Sequence, residues 1–250
     1  MGGFRATRLV RFVTLSALIV CLGASAMRTA SATARTASAV ATSLASASRA
    51  PGALLVRIER RTAIRRWPGA GRTIGWMPAH SRYYRQPIRA WVLRTADGGR
   101  YGNVPVPYTT RHRAGWIDLR GLRRTWTGVR VAADLSEHRI VVTKRGRTVA
   151  RFTAGTGSPA TPTPTGNYFV TDRVAFPRSS EYGSFAFGIS GIQPRLPVGW
   201  STGDQLAIHG TNDPASIGRS VSTGCLRVSE RALARLKLLL ERGTPVVIRP

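Results

Sequence analysis

His209 and Cys225, sixteen positions apart, are the residues of this 250-residue chain best suited to making and breaking a covalent bond. The thiolate is the reactive form of cysteine, and a neighbouring imidazole both takes its proton and stabilises its charge. His209 closes the apolar run Leu206-Ala207-Ile208 and is followed by Gly210, which sets its ring at a rigid strand end beside a loop. Gly224 stands just before Cys225. A glycine there permits a tight turn that aims consecutive backbone amides at one spot, as an oxyanion hole requires. Metal binding is the rival chemistry for such residues. It fails on ligand count, because the other histidines, His80, His112 and His138, are scattered along the chain. No metal and no cofactor is implied.

The segments around the pair carry more information. His209-Gly210-Thr211-Asn212-Asp213-Pro214-Ala215-Ser216-Ile217-Gly218, followed by Ser222-Thr223-Gly224-Cys225-Leu226-Arg227, closely resembles the signature of the L,D-transpeptidase (YkuD-type) catalytic domain. The resemblance covers about residues 129–248 and includes the Thr163-Pro164-Thr165-Gly166 loop. It implies that Cys225 attacks the third residue of a peptidoglycan stem peptide, a diamino acid, and expels the terminal D-alanine. The acyl group then passes to a side-chain amine of a second stem, giving a 3→3 crosslink. His209 is the implied base, with the Gly210 carbonyl orienting its ring in the role that a carboxylate fills in serine triads. The amides of Thr223, Gly224 and Cys225 are the implied oxyanion donors, and Ser222 and Arg227 the implied site-supporting or substrate-contacting residues. Arg227 is equally readable as a structural hydrogen-bond donor. Many family members carry histidine where this chain has Thr223, which points to altered substrate contacts. Members are typically acylated well by carbapenems. Asp213 and Pro214 read as the N-cap and first residue of a short helix. Tyr182 and Trp200 fall in a Gly-rich insert before His209, read as a substrate-covering lid to which Tyr182 adds a substrate contact.

The elements that must hold these residues read as mainly β. Val129-Arg130-Val131, Arg139-Ile140-Val141-Val142 and Thr148-Val149-Ala150-Arg151-Phe152 alternate or run apolar, with a Lys144-Arg145-Gly146-Arg147 turn between the last two. Residues 157–166 hold three prolines and must form a loop. Tyr168-Phe169-Val170 and residues 205–208 predict further strands. Ser229 caps a predicted helix running to about Glu241, with Leu233, Leu236 and Leu240 on one face. Gly243 ends it before a last strand at Val246-Val247-Ile248. The expected catalytic unit, residues 127–250, is a YkuD-like β-sandwich with one C-terminal helix.

Residues 53–122 predict a small all-β barrel, from strand-like runs at residues 54–58 and 90–93 broken by Pro68-Gly69-Ala70-Gly71, Asp97-Gly98-Gly99 and Pro105-Val106-Pro107. Through its closing Gly115-Trp116-Ile117 this stretch resembles the bacterial SH3-like modules attached to wall enzymes. Trp67, Trp76, Tyr83, Tyr84 and Trp91 are read here as core side chains, the alternative being a ligand groove.

Arg5, Arg8 and Arg11 precede an apolar stretch at residues 12–23, and Ala24-Ser25-Ala26 offers a cleavage site. That order describes a secretory signal peptide over residues 1–26, whose apolar run is short for a membrane span. The expected location is the cell wall, outside the cell or in the periplasm, with membrane contact only through an uncleaved signal segment. Residues 27–52 are almost entirely Ala, Ser, Thr and Arg and read as a flexible linker. Cleavage removes Cys21 and leaves Cys225 as a lone thiol in an oxidising compartment, the pattern of a reactive cysteine or an intermolecular bridge. A net charge of +27 draws a protein toward polyanions, here anionic cell-wall polymers, unless it reflects codon bias alone. Nucleic acid is excluded by the export signal and by the lack of any recognition motif. Two other outcomes stay open: an L,D-carboxypeptidase that resolves the same acyl-enzyme with water, and a non-catalytic wall-binding protein.

Overall fold

The computed structural model describes residues 52–111 and 113–250. The export segment, all but the last residue of the linker, and His112 lie outside the described residues. Residues 51–250 belong to one compact unit.

The first eight strands are short: β1 (Ala53–Arg57), β2 (Thr62–Trp67), β3 (Ala70–Met77), β4 (Arg89–Val92), β5 (Arg94–Ala96), β6 (Tyr101–Pro105), β7 (Ala114–Asp118) and β8 (Arg124–Thr127). They form two antiparallel sheets, ordered β4-β1-β8 and β3-β2-β7-β6-β5. Their apolar side chains, including Leu54, Val56, Ile64, Met77, Ile117 and Leu119, make one cluster. Phe169 of the downstream half is buried in that same cluster, and Val247 packs against it. The two halves of the described chain therefore share apolar surface, and each stabilises the other by burial.

The downstream half holds β9 (Val129–Asp134), β10 (Arg139–Lys144), β11 (Arg147–Thr153), β12 (Thr156–Gly157), β13 (Gly166–Ala175), β14 (Phe185–Ile192), β15 (Gln205–His209), β16 (Ser220–Ser222) and β17 (Leu226–Arg227). The helix α1 (Glu230–Leu239) and the strand β18 (Pro245–Arg249) complete it. Eight strands form a mixed sheet in the order β11-β10-β9-β18-β13-β14-β15-β17, with β18 parallel to β9 and β15 parallel to β17. β13 joins the two halves of this sheet. Its first residues pair with β18 and its later ones with β14, with a register shift after Val170. A bulge of that kind bends a strand and lets it serve two sheets. One apolar cluster takes Val131, Ile140, Phe187, Ile208, Leu233 and Leu236 from both halves and from α1. The fold is mainly β with one C-terminal helix.

α1 begins where Ser229 accepts a hydrogen bond from the Ala232 amide at 3.2 Å, and it ends two residues short of Glu241. β14 narrows the lid reading to the segments on either side of it. Eight residues of the Gly-rich insert form this strand, buried from Phe185 through Gly191, in the middle of the sheet. A Cβ on Gly191 would lie 2.5 Å from the ring of Tyr168, so glycine marks close packing there.

Candidate active site

Cys225 sits in the short turn between β16 and β17, and the turn is braced from inside. The Ser222 hydroxyl donates to the Cys225 carbonyl at 2.7 Å and accepts from the Gly224 amide at 3.1 Å. Ser222 is buried, and its hydroxyl holds the turn that carries Cys225, the site-supporting of its two expected roles. The Gly224 amide of the expected oxyanion set is engaged by that hydroxyl. Gly224 has a φ of +110°. A Cβ there would collide with the Gln193 side chain at 2.1 Å, so only glycine fits.

Gln193 was not legible in the sequence. Its amide nitrogen donates to the carbonyls of Thr161, Pro162 and Thr223 at 3.1–3.2 Å. It thereby ties the proline-rich loop to the turn that carries Cys225. Nothing in the surrounding residues signals the role, since the three acceptors are backbone atoms distant in sequence.

His209 ends β15 and is buried, and its Nδ1 lies 2.5 Å from the Gly210 carbonyl. A carbonyl only accepts, so Nδ1 carries the proton and Nε2 is left as the basic nitrogen. β15 pairs in parallel with β17, matching His209 to Arg227, and so brings the two motif blocks side by side. Tyr182 meets the His209 ring edge-on at 5.1 Å between centroids. The segment before β14 is fixed by Glu230, which accepts from the Ser184 amide at 2.9 Å and the Ser184 hydroxyl at 2.6 Å.

Cys225, His209, Tyr182, Thr223, Ser222 and Arg227 all border one cavity of about 280 Å³. Burial pushes the Cys225 thiol up to about 11, against a hydrogen bond from the Ala207 backbone and the nearby Arg227 charge. The sulfur lies 4.0 Å from the Gln205 carbonyl. Burial likewise pulls His209 down to about 4, opposed by the Gly210 hydrogen bond and aided by Arg227. At neutral pH the resting pair is therefore an uncharged thiol and an uncharged imidazole. Desolvation disfavours both charged forms.

The buried Nε of Arg227 has no hydrogen-bond partner among the described residues. Asp213 occupies the N-cap of a 3-10 helix at Pro214–Ser216, with Pro214 as expected at its start, but its side chain makes no capping bond. Trp200 lines the cavity from the loop after β14, while His80 and His138 do not reach it. Of the five aromatics read as core, only Trp91 is buried. Trp67, Trp76, Tyr83 and Tyr84 are exposed, because they lie on strand faces and a loop that no second layer covers.

The family model for the YkuD-type L,D-transpeptidase catalytic domain matches residues 128–248. A curated Bacillus licheniformis relative named YkuD is 30% identical over 135 residues, 54% of this chain and 74% of its own length. A solved structure of Bdellovibrio bacteriovorus Bd1075 has 23% identity and a TM-score of 0.40 over 49% of this chain; the chain spans 48% of its length. Mycobacterium tuberculosis L,D-transpeptidase 3, solved with a faropenem-derived adduct, has 18% identity and a TM-score of 0.42 over 69% of this chain and 78% of its own.

Proposed function

The chain belongs to the YkuD-type L,D-transpeptidase family, and from that footing we propose that it is an exported cysteine acyltransferase forming 3→3 crosslinks between peptidoglycan stems. One observation carries the reading: His209, its tautomer set by Gly210, opens onto the same cavity as Cys225.

The Cys225 sulfur attacks the carbonyl carbon of the stem's third residue as its proton passes to Nε2 of His209. Because the resting pair is neutral, proton transfer accompanies attack and does not precede it. The amides of Thr223 and Cys225 hold the oxyanion. Collapse breaks the peptide bond, and the departing D-alanine nitrogen takes the proton back from His209. A side-chain amine of a second stem then attacks the thioester. It loses its proton through His209 to the leaving sulfur, which restores the thiol. Arg227, with its unpartnered buried Nε, supplies a cation for a stem carboxylate.

In this reading residues 1–26 direct export and 27–52 form a linker. Residues 53–122 are an SH3-like module facing the wall, and 127–250 form the catalytic unit. The arginine excess holds the enzyme to anionic wall polymers, so retention on isolated walls falls steeply as salt rises.

The deciding experiment is muropeptide analysis after incubating the enzyme with purified tetrapeptide stems. Crosslinked dimers with released D-alanine are expected. Shortened tripeptides alone would make the enzyme an L,D-carboxypeptidase, and unchanged stems would leave only a wall-binding role.

A further inference from the structure

We propose that the upstream β unit supplies part of the substrate site: Tyr83 and Tyr84, on the loop between β3 and β4, form an aromatic wall that binds the stem peptide. The inference deepens the transpeptidase reading and rests on it for the identity of the ligand.

Both tyrosines border the cavity that holds Cys225 and His209, although they lie more than a hundred residues upstream. Their loop is pinned to the catalytic sheet at three places. The Ser81 hydroxyl donates to the fully buried Asp172 carboxylate, which also accepts from Thr171 at 2.8 Å and from the Gln205 side chain at 3.0 Å. Gln205 is the residue whose backbone carbonyl faces the Cys225 sulfur, so loop and nucleophile are fastened to one strand. Gln86 exchanges two hydrogen bonds with the backbone of Arg173, at 2.9 and 3.2 Å. Arg82 holds both carboxylate oxygens of Asp204 at 3.1 Å, and the Tyr83 hydroxyl donates to the same carboxylate at 2.7 Å.

With the loop fixed in this way, the rings stay about half exposed, the Arg82 guanidinium lying 5.4 Å from the centroid of the Tyr83 ring. Tyr83 is 45% exposed and Tyr84 48%, beside Trp200 at 38%. Tyr83 packs on Gly203, whose carbonyl accepts from the Trp200 indole at 2.7 Å, so the upstream loop and the loop after β14 make one continuous aromatic surface. Arg82 offsets the charge of Asp204, and the wall is an aromatic surface in a lining whose other charged side chains are Glu181 and Arg227. Such a surface suits the aliphatic and amide portions of a peptide, while Arg227 on the catalytic side suits its carboxylate. Fixed aromatic rings also bind at low entropic cost.

The test measures tetrapeptide-stem affinity by calorimetry with Cys225→Ala protein, in which turnover cannot intervene. Adding Tyr83→Ala and Tyr84→Ala together is expected to weaken binding about tenfold, the scale of a truncated aromatic contact. Tyr83→Phe with Tyr84→Phe should recover most of that affinity, which a loss of folding would not allow. In the active enzyme the alanine changes should raise KM more than they lower kcat. Unaltered affinity in the double alanine protein would overturn the proposal. Tyrosine-dependent binding by an enzyme that leaves stems unreacted would defeat the transpeptidase reading and keep the wall. An absence of stem binding by Cys225→Ala protein would defeat both.

Discussion

The two sides of the cavity are built differently. On the catalytic side several polar groups are committed. Ser222 braces the Cys225 turn, Gln193 ties that turn to the proline-rich loop, and Gly210 fixes the His209 tautomer. On the opposite side Tyr83, Tyr84 and Trp200 stay partly exposed. Chemistry needs atoms placed to within fractions of an ångström, so it falls to buried, over-determined turns. Recognition of a peptide tolerates adjustment, and half-exposed aromatics supply contact area for it.

The largest test of this contrast is on the buried side. Cys225→Ala should abolish acylation and leave the fold intact, since little volume is lost. Intact-mass analysis of the wild-type protein should show a single carbapenem adduct mapping to Cys225. Transpeptidation by a folded Cys225→Ala protein would falsify the assignment of nucleophile.

His209→Ala comes next, with acylation slowed by about 10²–10⁴, the span of a lost general base. Mutating His80 or His138 should do far less. The pH dependence sharpens the point. His209 titrates near 4 in the native state against 6.5 as the unperturbed value, so the base stays available down to about pH 4. The acid limb of kcat/KM should lie there; a limb between 6 and 7 would show that the imidazole is not desolvated. The same shift carries a cost in stability. Between pH 6.5 and about 4 the unfolded chain binds a proton that the native chain does not, so denaturation midpoints should fall as pH falls through that window. On the alkaline side the thiol at about 11, against 9.0, weakens the native state as pH rises between those values.

Gly224→Ala should have a smaller effect on rate, because it displaces the nucleophile without removing it. The residue would sit at φ +110° and press on Gln193. A strained backbone of this sort costs about 1–3 kcal/mol. Acylation should slow by about 10²-fold, the scale of a misplacement of about 1 Å. Wild-type rates in this variant would mean that the turn is less constrained than its neighbours suggest.

Arg82→Ala probes the exposed side and should do least. Its ion pair with Asp204 is partly solvent-exposed, so thermal denaturation should register at most about 1 kcal/mol. If the loop is a recognition element, KM for the stem should still rise several-fold. A large loss of stability, with rate and affinity falling together, would place the loop on the rigid side of the comparison.

Some of this was readable in the chain. The motif blocks around His209 and Cys225 are contiguous, and the C-terminal helix has a local cap at Ser229 with leucines at helical spacing. Alternation marked β9 and β10, and the family's mainly β fold follows from the same blocks. Such features depend on neighbours within a few positions, which sequence displays directly. Tertiary structure alone decided the rest. Phe185–Ile192 resembles a Gly-rich loop until the Tyr168 ring is seen to need the space at Gly191. Ser222 reads as either a site-supporting or a substrate-contacting residue until its hydroxyl is found bridging Gly224 and Cys225. Tyr83 and Tyr84 read as core until a buried carboxylate, Asp172, is seen fastening their loop beside the catalytic cavity. The reason is common to all three: close packing and polar satisfaction are set by atoms far apart in the chain, and only folding brings those atoms together.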